Sequence, residues 1–126
     1  MREIEFRGKL DGADKWVYGY YYGGYNWADF IISNEGFEHR QRVMHETIGQ
    51  YTGLKDKYGT KIFEGDILEW VSCNPFSKGE IRKGQVYYIE AHFWCKGTIG
   101  VYLGELLVHE KCEVIGNIHD NPELLK

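Results

Sequence analysis

The chain has 126 residues, 43% hydrophobic and 16% aromatic, with fifteen basic residues against nineteen acidic ones. That length suits one domain with a real core, and the composition excludes a disordered chain. A formal net charge of −4 disfavours a protein that coats nucleic acid through its phosphates, because such proteins carry surplus Lys and Arg to displace counterions.

Ten Tyr, sixteen Gly and two Pro favour short strands and tight turns over long helices. Ile4 and Phe6 alternate with Glu3, Glu5 and Arg7, the period of a half-buried strand. "KWVYGYYYGGYNWADFII" follows, with Gly23-Gly24 placed where a two-residue hairpin turn needs positive φ. Trp16, Tyr18, Tyr20 and Tyr22 then share one face and Val17 and Tyr21 the other. Residues 33–47 are polar without a firm period. They read as a loop or one helical turn, ending in a short strand near Val43 to Ile48.

Asp56-Lys57-Tyr58-Gly59 reads as a four-residue turn: the Asp side chain bonds to backbone ahead of it, and Gly takes the left-handed position. Lys61-Ile62-Phe63 enters a strand and Glu64-Gly65-Asp66 turns the chain again. Ile67, Glu69 and Val71 then alternate with Leu68 and Trp70. Asp56, Gly59, Glu64, Gly65 and Asp66 thus form a structural motif, the corner of a small barrel or sandwich. The loop "SCNPFSKGEIRKG" comes next, closed by Gly84. "QVYYIEAHFW" and "GTIGVYLGELLV" read as two strands joined at Lys96-Gly97, and "CEVIGNI" as the last strand. In "HDNPELLK", Asp120 or Asn121 caps a short helical turn that has Pro122 in its first position.

"IGQYTGLKDKYGTKIFEGDIL" (48–68), "CEVIGNIHDNPELL" (112–125) and the opening "MREIEFR" with "WVYG" (16–19) resemble the YopX-like family of small phage and prophage proteins. The resemblance implies an all-β fold: a small SH3-type barrel with an N-terminal β-hairpin extension and a short C-terminal helical turn. One YopX-like domain over 1–126 is expected, with a hairpin region at 1–47 and a barrel region at 48–126. The likeness also implies a phage or prophage origin, and it brings no catalytic mechanism with it.

Candidate chemistry is sparse. His92 to Cys95 and His109 to Cys112 repeat a His-x-x-Cys spacing, the arithmetic of a tetrahedral zinc site. Residues three apart in a strand point to opposite faces, so each pair needs a bulge to converge. Buried thiols are therefore preferred, and no metal or other cofactor is expected. Glu64, Asp66 and Asp56 could gather round an ion, but acids at tight turns also bond to nearby backbone N–H groups. No nucleotide-binding loop or nucleophile elbow is present, and a non-enzymatic protein is expected.

The binding candidates are the rings Trp16, Tyr18, Tyr20, Tyr22 and Trp27, and the cations Lys78, Arg82 and Lys83. Rings on an exposed sheet face stack on bases or contact protein, although strand aromatics also pack cores. The leading expectation is a non-catalytic protein–protein interaction or self-assembling module, as a homo-oligomer or with a protein partner. The alternative is a nucleic-acid-associated phage factor using an aromatic and basic face, which the net charge disfavours. An odd cysteine count, no signal-peptide pattern and no apolar run near the roughly 20 residues of a membrane span place it in the cytoplasm of a bacterial host cell, off the membrane.

Overall fold

The computed structural model describes residues 3–25, 27–72, 76, 78–89, 92–96, 100–102 and 112–125. Among these the chain is mainly β, built from antiparallel strands and short 3-10 turns. It forms two compact units, Met1–Gly53 and Leu54–Lys126.

The first unit holds β1 (Phe6–Lys9), β2 (Trp16–Tyr25), β3 (Ala28–Ile32), β4 (Gln41–Val43) and most of β5 (Gly49–Lys55). Their order is β4-β3-β2-β1-β5. Pairing of Gly8 with Val17 and of Tyr21 with Ile31 sets the register, so Val17, Ile31 and Val43 form a core with Phe6, Leu10 and Ile48 packed on it. The outer edge of β4 is not left bare. Leu10 bridges Val43, the Asp11 N–H donates to the Arg42 carbonyl at 3.1 Å, and the Met44 N–H donates to the Lys9 carbonyl at 2.9 Å. An edge tied back in this way offers little template for stray pairing. Gly19 is dictated by a close approach: a Cβ there would run into the backbone carbonyl oxygen of Ile32.

Two expectations for this unit are corrected. Gly23-Gly24 is not the hairpin turn: Tyr25 pairs with Ala28 beyond it, and the register shifts between Gly23 and Tyr25. Gly24, at φ 84°, serves that β-bulge instead. The strand expected near Val43 to Ile48 is also displaced. It ends at Val43, and His45–Thr47 form a 3-10 turn in which the Thr47 hydroxyl donates to the Met44 carbonyl and accepts from the Lys9 N–H. A hydroxyl bonding to its own local backbone competes with a strand ladder. A further 3-10 turn covers Phe37–His39.

In the second unit β6 (Lys61–Phe63) follows β5 as its hydrogen-bonded neighbour. The strands β7 (Asp66–Val71), β8 (Ile81–Ile89), β9 (His92–Lys96), β10 (Gly100–Tyr102) and β11 (Glu113–Asn117) form a sheet in the order β10-β9-β8-β7-β11. The first four run as a meander, and β11 returns to the outside of β7 with a register shift between Val114 and Gly116. Ile62, Leu68, Val86 and Cys112 make the core, with Leu54, Trp70, Phe93 and Val114 against it. The corner is stitched by backbone bonds: the Gly65 N–H donates to Val86, and the Ile118 N–H donates to Gly65, both at 2.9 Å.

Here too the strand limits differ from expectation. Gly84 lies inside β8 opposite Leu68, so the loop after β7 ends before Ile81. "QVYYIEAHFW" is not one strand but a hairpin, with Ile89 already paired to His92. Apolar residues continue through both arms because both face the core, which hides the reversal from period counting. Gly97 and residues 103–111 lie outside the described residues. The C-terminal turn, Pro122–Leu125, is a 3-10 turn. Asn121 does not only face forward: its Oδ1 accepts from the Asn117 N–H at 3.3 Å, closing the end of β11.

Candidate functional site

The long strand β2 sets out the ring residues by simple alternation. Arg7 lies opposite Tyr18, Lys9 opposite Trp16, Ile32 opposite Tyr20 and Phe30 opposite Tyr22. Arg42 of β4 faces Phe30 in turn. One sheet face of the first unit therefore carries rings and guanidinium groups in adjoining rows. The Arg7 guanidinium sits 4.7 Å from the Trp16 ring, and Arg40 sits 4.4 Å from Phe37 and 5.4 Å from Phe30. Phe37 meets Tyr22 edge to face at 5.3 Å. Such stacks hold cations and rings at fixed positions.

Exposure separates the expected ring residues. Trp16 is half-buried, while Tyr18, Tyr20 and Tyr22 are 47%, 65% and 39% exposed. Trp27, beside the hairpin reversal, is 99% exposed and holds φ at 62°. Arg42 and Lys9 are paired with rim carboxylates, Asp11 at 3.4 Å and Asp14 at 2.7 Å.

The other face of the same hairpin holds a polar cluster for which the sequence offered no spacing signal. The Tyr21 hydroxyl donates to Asp29 Oδ1 at 2.6 Å, and His45 Nδ1 lies 3.0 Å from Asp29 Oδ2. The Tyr21 bond, with help from His45, holds the Asp29 carboxyl below its ordinary pKa. The same bond, with burial and the Asp29 charge, holds the Tyr21 phenol above its own. The cluster clamps β2 and β3 to the 3-10 turn at His45.

Lys78, Arg82 and Lys83 belong to the second unit, apart from the ring face in the chain's organisation. Arg82 pairs with Glu80 at 2.9 Å and Lys83 lies 3.9 Å from Glu69, its cross-strand neighbour; Lys78 is exposed. Half their charge demand is met within the sheet.

The carboxylates of the corner turn inward. Asp56, 6% exposed, accepts from the N–H groups of Tyr58 and Thr60 at 2.9 Å through Oδ1, and from Val114 at 3.0 Å through Oδ2. Asp66, 2% exposed, accepts from the Phe63 N–H at 2.8 Å. Gly59, at φ 83°, donates to the Asp56 carbonyl at 3.0 Å, and Gly65 closes the β6–β7 turn beside a half-buried Glu64. This is turn chemistry, with the acids occupied by backbone.

Of the His-x-x-Cys set, Cys112 is fully buried in the second core, and burial, with the Asp56 charge, pushes its thiol up to about 11. That keeps it protonated, whereas a metal ligand needs the thiolate. The pairing of β9 with β8 runs from His92 through Cys95 without a shift, and His109 lies outside the described residues. Among the described residues no three His, Cys, Asp or Glu side chains gather, and no helix is long and apolar enough to cross a membrane.

The family model described as YopX protein matches residues 5–126. The crystal structure of protein EF1440 from Enterococcus faecalis is similar over 100% of both chains, at 24% identity and a TM-score of 0.61. At that identity the likeness is one of fold. No curated protein sequence matches the chain.

Proposed function

We propose that this chain, which belongs to the YopX family, is a non-catalytic protein–protein interaction module whose binding surface is the ring face of β2 and the hairpin that carries it. One observation supports this above the rest: Tyr18, Tyr20 and Tyr22 stay exposed in a row beside Arg7, Arg40 and Arg42. Tyr, Trp and Arg are the residue types that dominate binding energy at protein interfaces. They lose little entropy on docking and offer both apolar area and hydrogen bonds.

On the same reading the protein is of phage or prophage origin and works in the cytoplasm of a bacterial host. The second unit is an SH3-type barrel, a reading supported by the β7–β10 meander with β11 returned beside β7.

A tagged pull-down from host lysate tests the interaction, with and without nuclease. A protein that survives nuclease and is lost with the Tyr20→Ser, Tyr22→Ser double variant is expected. Equal capture by that variant overturns the reading. The nucleic-acid alternative draws on the guanidinium–ring stacks of Arg7 and Arg40. It requires captured material that vanishes with nuclease and weakens steeply between low and moderate salt.

A further inference from the structure

We infer that the chain binds a second copy of itself head to tail, the β2–β3 hairpin tip of one copy seated on the β7–β8 arm of the next. The inference rests on the protein-binding reading above and names its partner.

The tip is costly to its own fold. Trp27 is 99% exposed and sits at φ 62°, a backbone region that bulky residues enter only under strain and that Asn or Gly would occupy freely. Strain of this kind persists where a contact outside the local structure makes use of it. The chemistry around the tip narrows what that contact is. Residues 17–39 contain no Lys or Arg and carry Asp29, Glu35 and Glu38, so phosphate and anionic lipid are poor partners. An apolar surface with cations around it is the complement.

The chain carries such a surface itself. At the open end of the β7–β8 hairpin, Val71 and Ile81 form a cross-strand pair, 55% and 65% exposed, and Phe76 in the connecting loop is 98% exposed. Lys78, Arg82 and Lys83 follow, against Glu80 alone within 71–84. Glu80 is held by Arg82 at 2.9 Å, which leaves the arm cationic overall. An exposed indole with acidic neighbours thus matches an exposed Phe-Val-Ile patch with basic neighbours. Because the two surfaces differ, the contact is heterologous: it joins copies in series and is not closed by a single two-fold axis.

Sedimentation equilibrium over a concentration series tests this on the purified chain, with Trp27→Asn and Phe76→Ser. The wild type should exceed the monomer mass as concentration rises, and less so in high salt. Each variant alone should stay monomeric. An equimolar mixture should reach a dimer and stop, since one variant supplies only an arm and the other only a tip. A monomeric wild type, a variant that still assembles, or a mixture that stays monomeric overturns the proposal. Circular dichroism melts check folding, and Trp27→Asn should melt no lower than the wild type. If the wild type is monomeric yet still captures a nuclease-resistant protein through Tyr20 and Tyr22, only the head-to-tail contact has failed.

Discussion

Asp56 shows how one side chain can organise a corner. Its carboxylate accepts three backbone N–H groups, from Tyr58, Thr60 and Val114, and joins a turn to a strand 58 residues further along the chain. Asp56→Ala would bury those donors unpaired and should cost about 3 kcal/mol, read as a lower urea midpoint; Asp56→Asn should recover part of the loss. Asp29 works differently, through titration. Its folded pKa is depressed by the Tyr21 and His45 bonds, so its contribution is present above the unfolded carboxyl pKa and fades as pH falls below about 4. Tyr21 mirrors it: a raised phenol pKa means a contribution present at neutral pH and lost as pH rises beyond about 10. Melting temperature against pH should therefore drop at both ends, and Asp29→Asn should flatten the acid limb. An acid limb unchanged in that variant would show that other carboxylates dominate it. The turn at Asp56 was legible because Asp and Gly at that spacing have a local purpose. The Asp29 cluster was not, since its members are brought together only by strand pairing.

At the scale of elements, the β2–β3 hairpin shows where period counting succeeds and fails. Alternation placed Trp16, Tyr18, Tyr20 and Tyr22 on one face and Val17 and Tyr21 on the other, and the strand register has the same faces. The glycine pair was misread because Gly supplies positive φ equally well to a turn and to a bulge. Gly19 has a purpose no local pattern states: the Ile32 carbonyl passes too close for a Cβ. Gly19→Ala should force β2 away from the end of β3 and cost about 3 kcal/mol, seen as a lowered melting temperature and faster amide exchange in β2 and β3. Exchange that rises elsewhere but not there would contradict this account. The β8–β9 reversal was missed for a related reason, because a hairpin buried on both arms looks like one long apolar strand.

For the whole molecule, each unit has a core of its own. Ile31, 1% exposed, centres the first, and Leu68, 0% exposed, centres the second. Truncation to Ala at either should cost about 3 kcal/mol in urea unfolding. Hydrogen exchange should rise in β2, β3 and β4 for Ile31→Ala, and in β7, β8 and β11 for Leu68→Ala. The sequence by itself determined the β class, the corner at Asp56–Asp66, the facing of β2 and the family, all of which depend on residues near one another in the chain or on long quoted motifs. Only the tertiary structure decided which strands are neighbours, why Asp56 reaches β11, how Asp29 is shared by Tyr21 and His45, and that Trp27 stands in solvent. Those outcomes depend on strand pairing between distant segments, and a one-residue slip in that pairing would exchange every buried side chain for an exposed one.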